Sequence, residues 1–299
     1  MGLLEAHAGL AGKTAVVVGG AGGHMGRGVT LALAKAGVHI AACDNDEEAV
    51  RSIVPEVEAC GSRILSVRAD VTDADDLDGF YDRLAAQFDR VDIVVNVAGG
   101  VRRSLFAETT REDNARDIRL NYGYVIDSVR RAIPLMRRGG GGGSIINFTT
   151  IEAHRGAATY AVYAGAKAAT TNFSRALAVE LGGDGIRVNL IAPDTSPARA
   201  SNSALYAEDF ARLAKLGEDA LDAAYRMYVP LKRAPSVEDV CNGVLFLASD
   251  LSRSITGTTL HIDGGTIAAL GFLDWPYGDS FMPAPLGGTL GRLFPTPSP

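Results

Sequence analysis

A chain of 299 residues with 47% hydrophobic content has ample material for a buried core, in one large domain or two small ones. Its net charge of −6 offers no cluster of Lys and Arg to displace counterions from a phosphate backbone, which argues against a nucleic-acid partner. No apolar run is long enough for a membrane span and no basic-then-apolar leader opens the sequence, so a soluble, cytoplasmic protein without a membrane partner is expected.

After a lead-in at 1–12, the first predicted strand is 14–18 (TAVVV), followed by the glycine-rich stretch 19–28 (GGAGGHMGRG) and a helical run at 29–37. Strands are then predicted at 38–43, 63–69, 91–96, 144–148, 186–191 and 258–262, with helices at 46–60, 73–88, 112–136 and 164–181 between them. The five-glycine run Gly139 to Gly143 reads as a turn that ends a helix before a strand. Apolar strands separated by amphipathic helices predict a doubly wound α/β domain over 13–268: a parallel sheet of about seven strands covered on both faces. An insertion at about 194–231 separates the last two strands. The closing segment 269–299 holds half of all prolines and the single Trp275, and is predicted to be an irregular tail with apolar anchors.

Placed after the first strand and opening the first helix, Gly20, Gly23 and Gly26, with His24 and Met25 between them, sit where a dinucleotide pyrophosphate needs backbone without side chains. Asp44 ends the second strand about twenty residues on, where a carboxylate accepts hydrogen bonds from the ribose hydroxyls. That carboxylate repels a 2'-phosphate, and no basic residue within the glycine loop offsets it, so NAD is favoured over NADP. Asp46 instead reads as the cap of the following helix. Cys43, Cys60 and Cys241 are too scattered for a disulfide framework, and the five histidines form no metal-spaced pair, so metal-free chemistry is expected.

Tyr163 and Lys167, in 163–167 (YAGAK), lie four apart on one helix face, where an ammonium favours a phenolate. In this context the chain resembles the compact, single-domain branch of the short-chain dehydrogenase/reductase family over about residues 10–266. The resemblance is carried by the glycine loop, 70–71 (DV), 96–99 (NVAG), Asn121, the pair 149–150 (TT), 192–193 (AP) and 255–265 (ITGTTLHIDGG). It implies a Rossmann-type three-layer fold, Tyr163 as general acid/base, and Lys167 holding the nicotinamide ribose and depressing the Tyr163 pKa. Thr150 would hydrogen-bond the substrate oxygen, and Asn121 would support a water-mediated proton path through the lysine. Asp70 and Val71 would flank the adenine, Asn96, Ala98 and Gly99 the adenosine half, and Pro193 and Thr195 the cofactor beyond the sixth strand. A homotetramer is implied as well, through the helices carrying Asn121 and Tyr163 and through 245–250 with the last strand.

Five positions depart from the family pattern: His24 and Gly19 in the glycine loop, Val97 for asparagine, Thr150 for serine, and Asp194 for glycine after Pro193. Substrate is expected to meet 100–106, 151–156 and the insertion. Tyr206, Phe210, Tyr225, Met227 and Tyr228 there read equally as pocket lining or as packed helix faces. Arg102 and Arg103 read as an anion clamp or as solvated surface, and Glu152 and His154 as substrate contacts or a proton relay. The expected reaction interconverts a bulky, mostly apolar secondary alcohol and its ketone. A catalytically quiet NAD-binding sensor or scaffold, and a lyase or epimerase that retains NAD, stay open as readings of the same residues.

Overall fold

Alternate residues of strand β1 (Thr14–Val18) reach two separate cores. Val16 and Val18 pack on one face of a sheet, and Ala15 and Val17 on the other. A strand covered on both faces has no solvent side, which is why its sequence is apolar without alternation. The computed structural model describes residues 7–138, 140, 142–194, 218–275 and 281–283.

Strands β2 (His39–Asp44), β3 (Ile64–Arg68), β4 (Ile93–Asn96), β5 (Gly143–Phe148), β6 (Ile186–Pro193) and β7 (Thr259–Ile262) join β1 in a parallel sheet ordered β3-β2-β1-β4-β5-β6-β7. The described helices are α1 (His24–Lys35), α2 (Glu47–Ala59), α3 (Ala74–Gln87), α4 (Arg111–Ile118), α5 (Tyr124–Arg138), α6 (Ala161–Glu180), α7 (Glu218–Tyr228) and α8 (Val237–Ala248). Leu33, Ile53 and Val244 bring α1, α2 and α8 onto one face, while Phe80, Val129 and Leu177 bring α3, α5 and α6 onto the other. The molecule is thus a three-layer, doubly wound Rossmann-type fold. The chain runs outward from β1 to β3 and returns beside β1 as β4, leaving a crevice beyond the carboxyl ends of these two strands.

Helix starts follow local side chains. The Asp46 carboxylate accepts from the Glu48 and Ala49 N–H groups and caps α2, Asp73 caps α3, and Ser236 with Asp239 forms a capping box on α8. The start of α1 is different, because its cap position is Gly23 and no side chain caps it.

Two expectations are corrected. The helix predicted over 112–136 is broken by a π-helical turn, Arg119–Gly123, which carries Asn121. The tail predicted to be irregular contains β8 (Phe272–Asp274) paired antiparallel with β9 (Phe281–Pro283), and Trp275 beside it is buried. Thr195, Tyr206 and Phe210 lie outside the described residues. Among the described residues no helix is long and apolar enough to cross a membrane.

Candidate active site

The glycine turn between β1 and α1 is closed by backbone contact. A Cβ on Gly26 would stand 1.8 Å from the Gly19 carbonyl oxygen, so only hydrogen fits there. Gly23 has φ +58° and ψ 158°, a conformation reserved for glycine. The uncapped N–H groups of α1 and a surface that any side chain at 26 would disrupt fit a pyrophosphate. Asp44 faces the same turn, its Oδ2 accepting from the Gly22 N–H at 2.8 Å and the Ala21 N–H at 3.3 Å. Among the described residues its Oδ1 receives only a long contact from the Asp46 N–H at 3.4 Å, which leaves acceptor capacity for hydroxyl donors.

Arg27, within 19–28 and in the first turn of α1, corrects the expectation that no basic residue stands within the glycine loop. Its Nη1 lies 3.4 Å from the Ala21 carbonyl oxygen and 3.3 Å from Ser52 Oγ, and its Nη2 is paired with Glu56. The carboxylate of Glu56 pairs with this guanidinium.

Further along the crevice, Val71 is buried and the Asp70 carboxylate is occupied by the Thr72 N–H and hydroxyl at 2.9 and 2.7 Å. Asn96 turns inward. Its Nδ2 donates to Asn147 Oδ1 at 2.8 Å and its Oδ1 accepts from Ser128 Oγ at 2.6 Å, so this amide belongs to a buried chain running from Tyr81 to Ser174 rather than to the crevice. The Ala98 N–H donates to the Val18 carbonyl at 2.9 Å, which ties β4's end to the glycine turn. Pro193 closes β6 opposite Ile262.

Asn121 and Lys167 converge on Gly99, where an added Cβ would meet Asn121 Oδ1 at 2.9 Å and Lys167 Nζ at 3.1 Å. The Asn121 amide is fixed by donation to the Gly100 and Asp117 carbonyls at 2.9 and 3.0 Å, and its backbone carbonyl accepts from Thr170 Oγ1 at 3.0 Å. Lys167 Nζ donates to the Phe148 carbonyl at 2.9 Å. Tyr163 lies one turn earlier on α6, its ring edge-on to Tyr160 at 6.1 Å. Thr150, at the carboxyl end of β5, is buried and donates its hydroxyl to Glu152. Thr150 follows the carboxyl end of β5, and α6 carries both Tyr163 and Lys167, the latter reaching the Phe148 carbonyl two residues before Thr150.

Complete burial pushes the Lys167 amine down to about 8 from its ordinary 10.5. Between those values the unfolded chain binds more protons here than the folded chain. The stability this group contributes is therefore full above pH 10.5 and is lost as pH falls through about 8. Urea unfolding of wild type and Lys167→Met at neutral pH and near 10.5 should differ by an amount that moves toward wild type at the higher pH, by about 3 kcal/mol. A difference constant with pH would contradict the burial of a titrating amine.

Neither arginine of the 100–106 segment offers an open clamp. Arg102 is paired with Asp113, and Arg103 donates to Thr159 Oγ1 at 3.5 Å while its guanidinium sits 5.6 Å from the Tyr160 ring centre. Leu105 and Phe106 on the same segment are 56% and 64% exposed. Glu152 is held by Arg155 at 2.8 Å. His154 packs edge-on against His261 at 5.0 Å, its buried Nε2 has no hydrogen-bond partner among the described residues, and burial lowers its pKa. The Tyr225 side chain is partly buried on α7. Sequence reasoning missed Arg155 and Thr266. Arg155 stands three residues after Glu152, a spacing that signalled the pair.

The family model described as Enoyl-(Acyl carrier protein) reductase matches residues 20–266. The 3-oxoacyl-[acyl-carrier-protein] reductase FabG of Thermotoga maritima is 31% identical over 258 residues, 86% of this chain and 99% of the relative. That of Staphylococcus epidermidis is 30% identical over 254 residues, 85% and 98% of the two chains. Among solved structures, carveol dehydrogenase from Mycobacterium avium in complex with NAD aligns with a TM-score of 0.78 at 28% identity, covering 87% of this chain and 99% of that one. A short-chain type dehydrogenase/reductase from Mycobacterium marinum aligns with a TM-score of 0.74 at 30% identity, covering 86% and 96%.

Proposed function

The chain belongs to the short-chain dehydrogenase/reductase family and is an oxidoreductase, and from that premise we propose that it interconverts a secondary alcohol and its ketone using NAD. The observation that supports the reaction type is the convergence of Asn121 Oδ1 and Lys167 Nζ on Gly99, with Tyr163 one turn earlier on the helix of Lys167 and Thr150 two residues beyond Phe148, whose carbonyl accepts from Lys167 Nζ. Tyr163 takes the alcohol proton, or returns it to the ketone oxygen. Thr150 turns its hydroxyl from Glu152 to that oxygen as charge grows on it, and the Lys167 ammonium favours the phenolate form of Tyr163. When bound, NAD supplies the hydride-transfer chemistry that a protein side chain lacks. Gly20, Gly23, His24, Met25 and Gly26 would hold its pyrophosphate, Asp44 its adenosine ribose, and Lys167 its nicotinamide ribose.

Asp44 supports NAD over NADP, because a 2'-phosphate would enter the field of a carboxylate already seated on the turn. The occupied guanidiniums of Arg102 and Arg103, beside exposed Leu105 and Phe106, support an apolar substrate over an anionic one. Assembly as a homotetramer would also cover Val179, which stands 85% exposed on α6.

A panel of cyclic, aromatic and carboxylate-bearing secondary alcohols tests the substrate class. The expected result is a kcat/KM at least about tenfold higher for the apolar cyclic or aromatic alcohols than for hydroxy acids of similar size. A preference for hydroxy acids would mean that an arginine leaves its present partner to bind substrate, and would overturn this part of the proposal.

A further inference from the structure

Beyond β7 the chain comes back to the insertion helix α7, and β8 packs beside it. The last residue of α7 already stands at the carboxyl ends of two strands. Tyr228 Oη accepts from Arg155 Nη1 at 2.7 Å and donates to Asp194 Oδ2 at 2.8 Å, an oxygen that also accepts from Thr266 Oγ1 at 2.7 Å. Arg155 closely follows the short turn after β5 that Thr150 caps, and Asp194 follows β6. The end of α7 is therefore tied to the segment that carries Thr150.

A second grip on the same end comes from one ammonium. Lys232, four residues past the helix, has φ +63°, a left-handed conformation that a side-chain-bearing residue keeps only where its surroundings fix it. Its Nζ turns back and donates to the Arg226 carbonyl at 3.2 Å, in the last turn of α7, where the helix dipole favours a cation. The same Nζ is paired with the Asp274 carboxylate and lies 4.5 Å from the centre of the Phe281 ring. Asp274 and Phe281 are directly opposite each other in the β8–β9 pair, so their side chains share one face and form a single seat for the charge. At 39% and 31% exposed, Lys232 and Asp274 would be a weak pair alone, and the ring and the helix carbonyl complete the seat. Leu231 N–H donates to the Gly264 carbonyl at 3.1 Å, which ties the same loop to the chain just after β7.

We propose that the β8–β9 hairpin, acting through Lys232, is a specificity element: it fixes α7 beside the segment carrying Thr150 and so sets the room left for the body of the alcohol. This rests on the reading of the insertion as a wall that meets substrate. Lys232, Asp274 and Phe281 act through α7 and not on the reacting atoms. Loosening such a wall costs binding of an alcohol large enough to touch it and leaves the chemical step alone.

The test uses the full-length enzyme and two independent readouts. In Lys232→Met, which keeps the stem and removes the charge, and in Asp274→Asn, the backbone amides of 218–228 should exchange with deuterium about tenfold faster than in wild type. The KM for the best cyclic alcohol of the panel should rise about fivefold in each, with kcat and directly titrated NAD affinity within about twofold. The ratio of kcat/KM between the largest and the smallest alcohol turned over should fall by about the same factor. The double variant should move neither readout beyond Lys232→Met alone, since both cuts remove one contact. Unchanged exchange over 218–228 in both single variants would overturn the grip on α7. Faster exchange with an unchanged KM and an unchanged ratio would overturn the specificity role. No turnover of any panel alcohol by wild type would sink the alcohol reading and the specificity role with it, while the exchange result would still decide whether the hairpin holds α7.

Discussion

Replacing Tyr163 by phenylalanine is expected to lower kcat about a thousandfold while NAD affinity, titrated directly, stays within about twofold. The substitution removes one oxygen and keeps the ring that packs against Tyr160, so the loss reports proton transfer and not folding. Tyr124, close to the end of β4, cannot take over. Tyr124 is buried, donates its hydroxyl to the Ala98 carbonyl at 2.6 Å, and is held well above its ordinary pKa by that burial. Turnover within tenfold of wild type in Tyr163→Phe would contradict the acid/base assignment.

Gly26→Ala is expected to weaken NAD binding by about a hundredfold or more, about 2.7 kcal/mol. The new methyl would lie 1.8 Å from the Gly19 carbonyl oxygen and 2.9 Å from its carbon, and both are backbone atoms that move only if the turn opens. Opening the turn also disturbs the two amides that face Asp44. Gly79→Ala is the control, since its Cβ meets nothing within 4 Å on the exposed side of α3. It should leave NAD affinity unchanged and raise stability by up to about 1 kcal/mol. Equal affinity in Gly26→Ala and wild type would mean that the pyrophosphate does not approach this turn.

The strands were legible because burial on both faces leaves a plain apolar run. The first was placed at Thr14–Val18 to the residue, and the others within two residues at either end. Asp46 and Asp44 were separable for a related reason: one stands before a helical run and caps it, while the other ends a strand. The π turn at Asn121 was not legible, because one wide turn leaves the apolar stripe of α5 intact on its far side. Asn96 was expected to line the cofactor, yet its strand position aims the amide at Asn147, and side-chain direction at a strand's last residue is not written in a motif. The network behind Thr150 was hidden by distance along the chain, since Arg155 and Tyr228 are 73 residues apart and only the sheet order brings them together. Strands of three residues, such as β8 and β9, are too short to carry a pattern.

The most direct measurement is the formation of reduced nicotinamide, followed by its near-ultraviolet absorbance, with an apolar cyclic secondary alcohol and NAD or NADP offered in parallel. The seat of Asp44 on the glycine turn and the group at Thr150, Tyr163 and Lys167 predict turnover with NAD and a kcat/KM for NAD at least about a hundredfold above that for NADP. Equal or better use of NADP would contradict the role given to Asp44. Bound NAD without reduction by any alcohol of the panel would contradict the reaction itself.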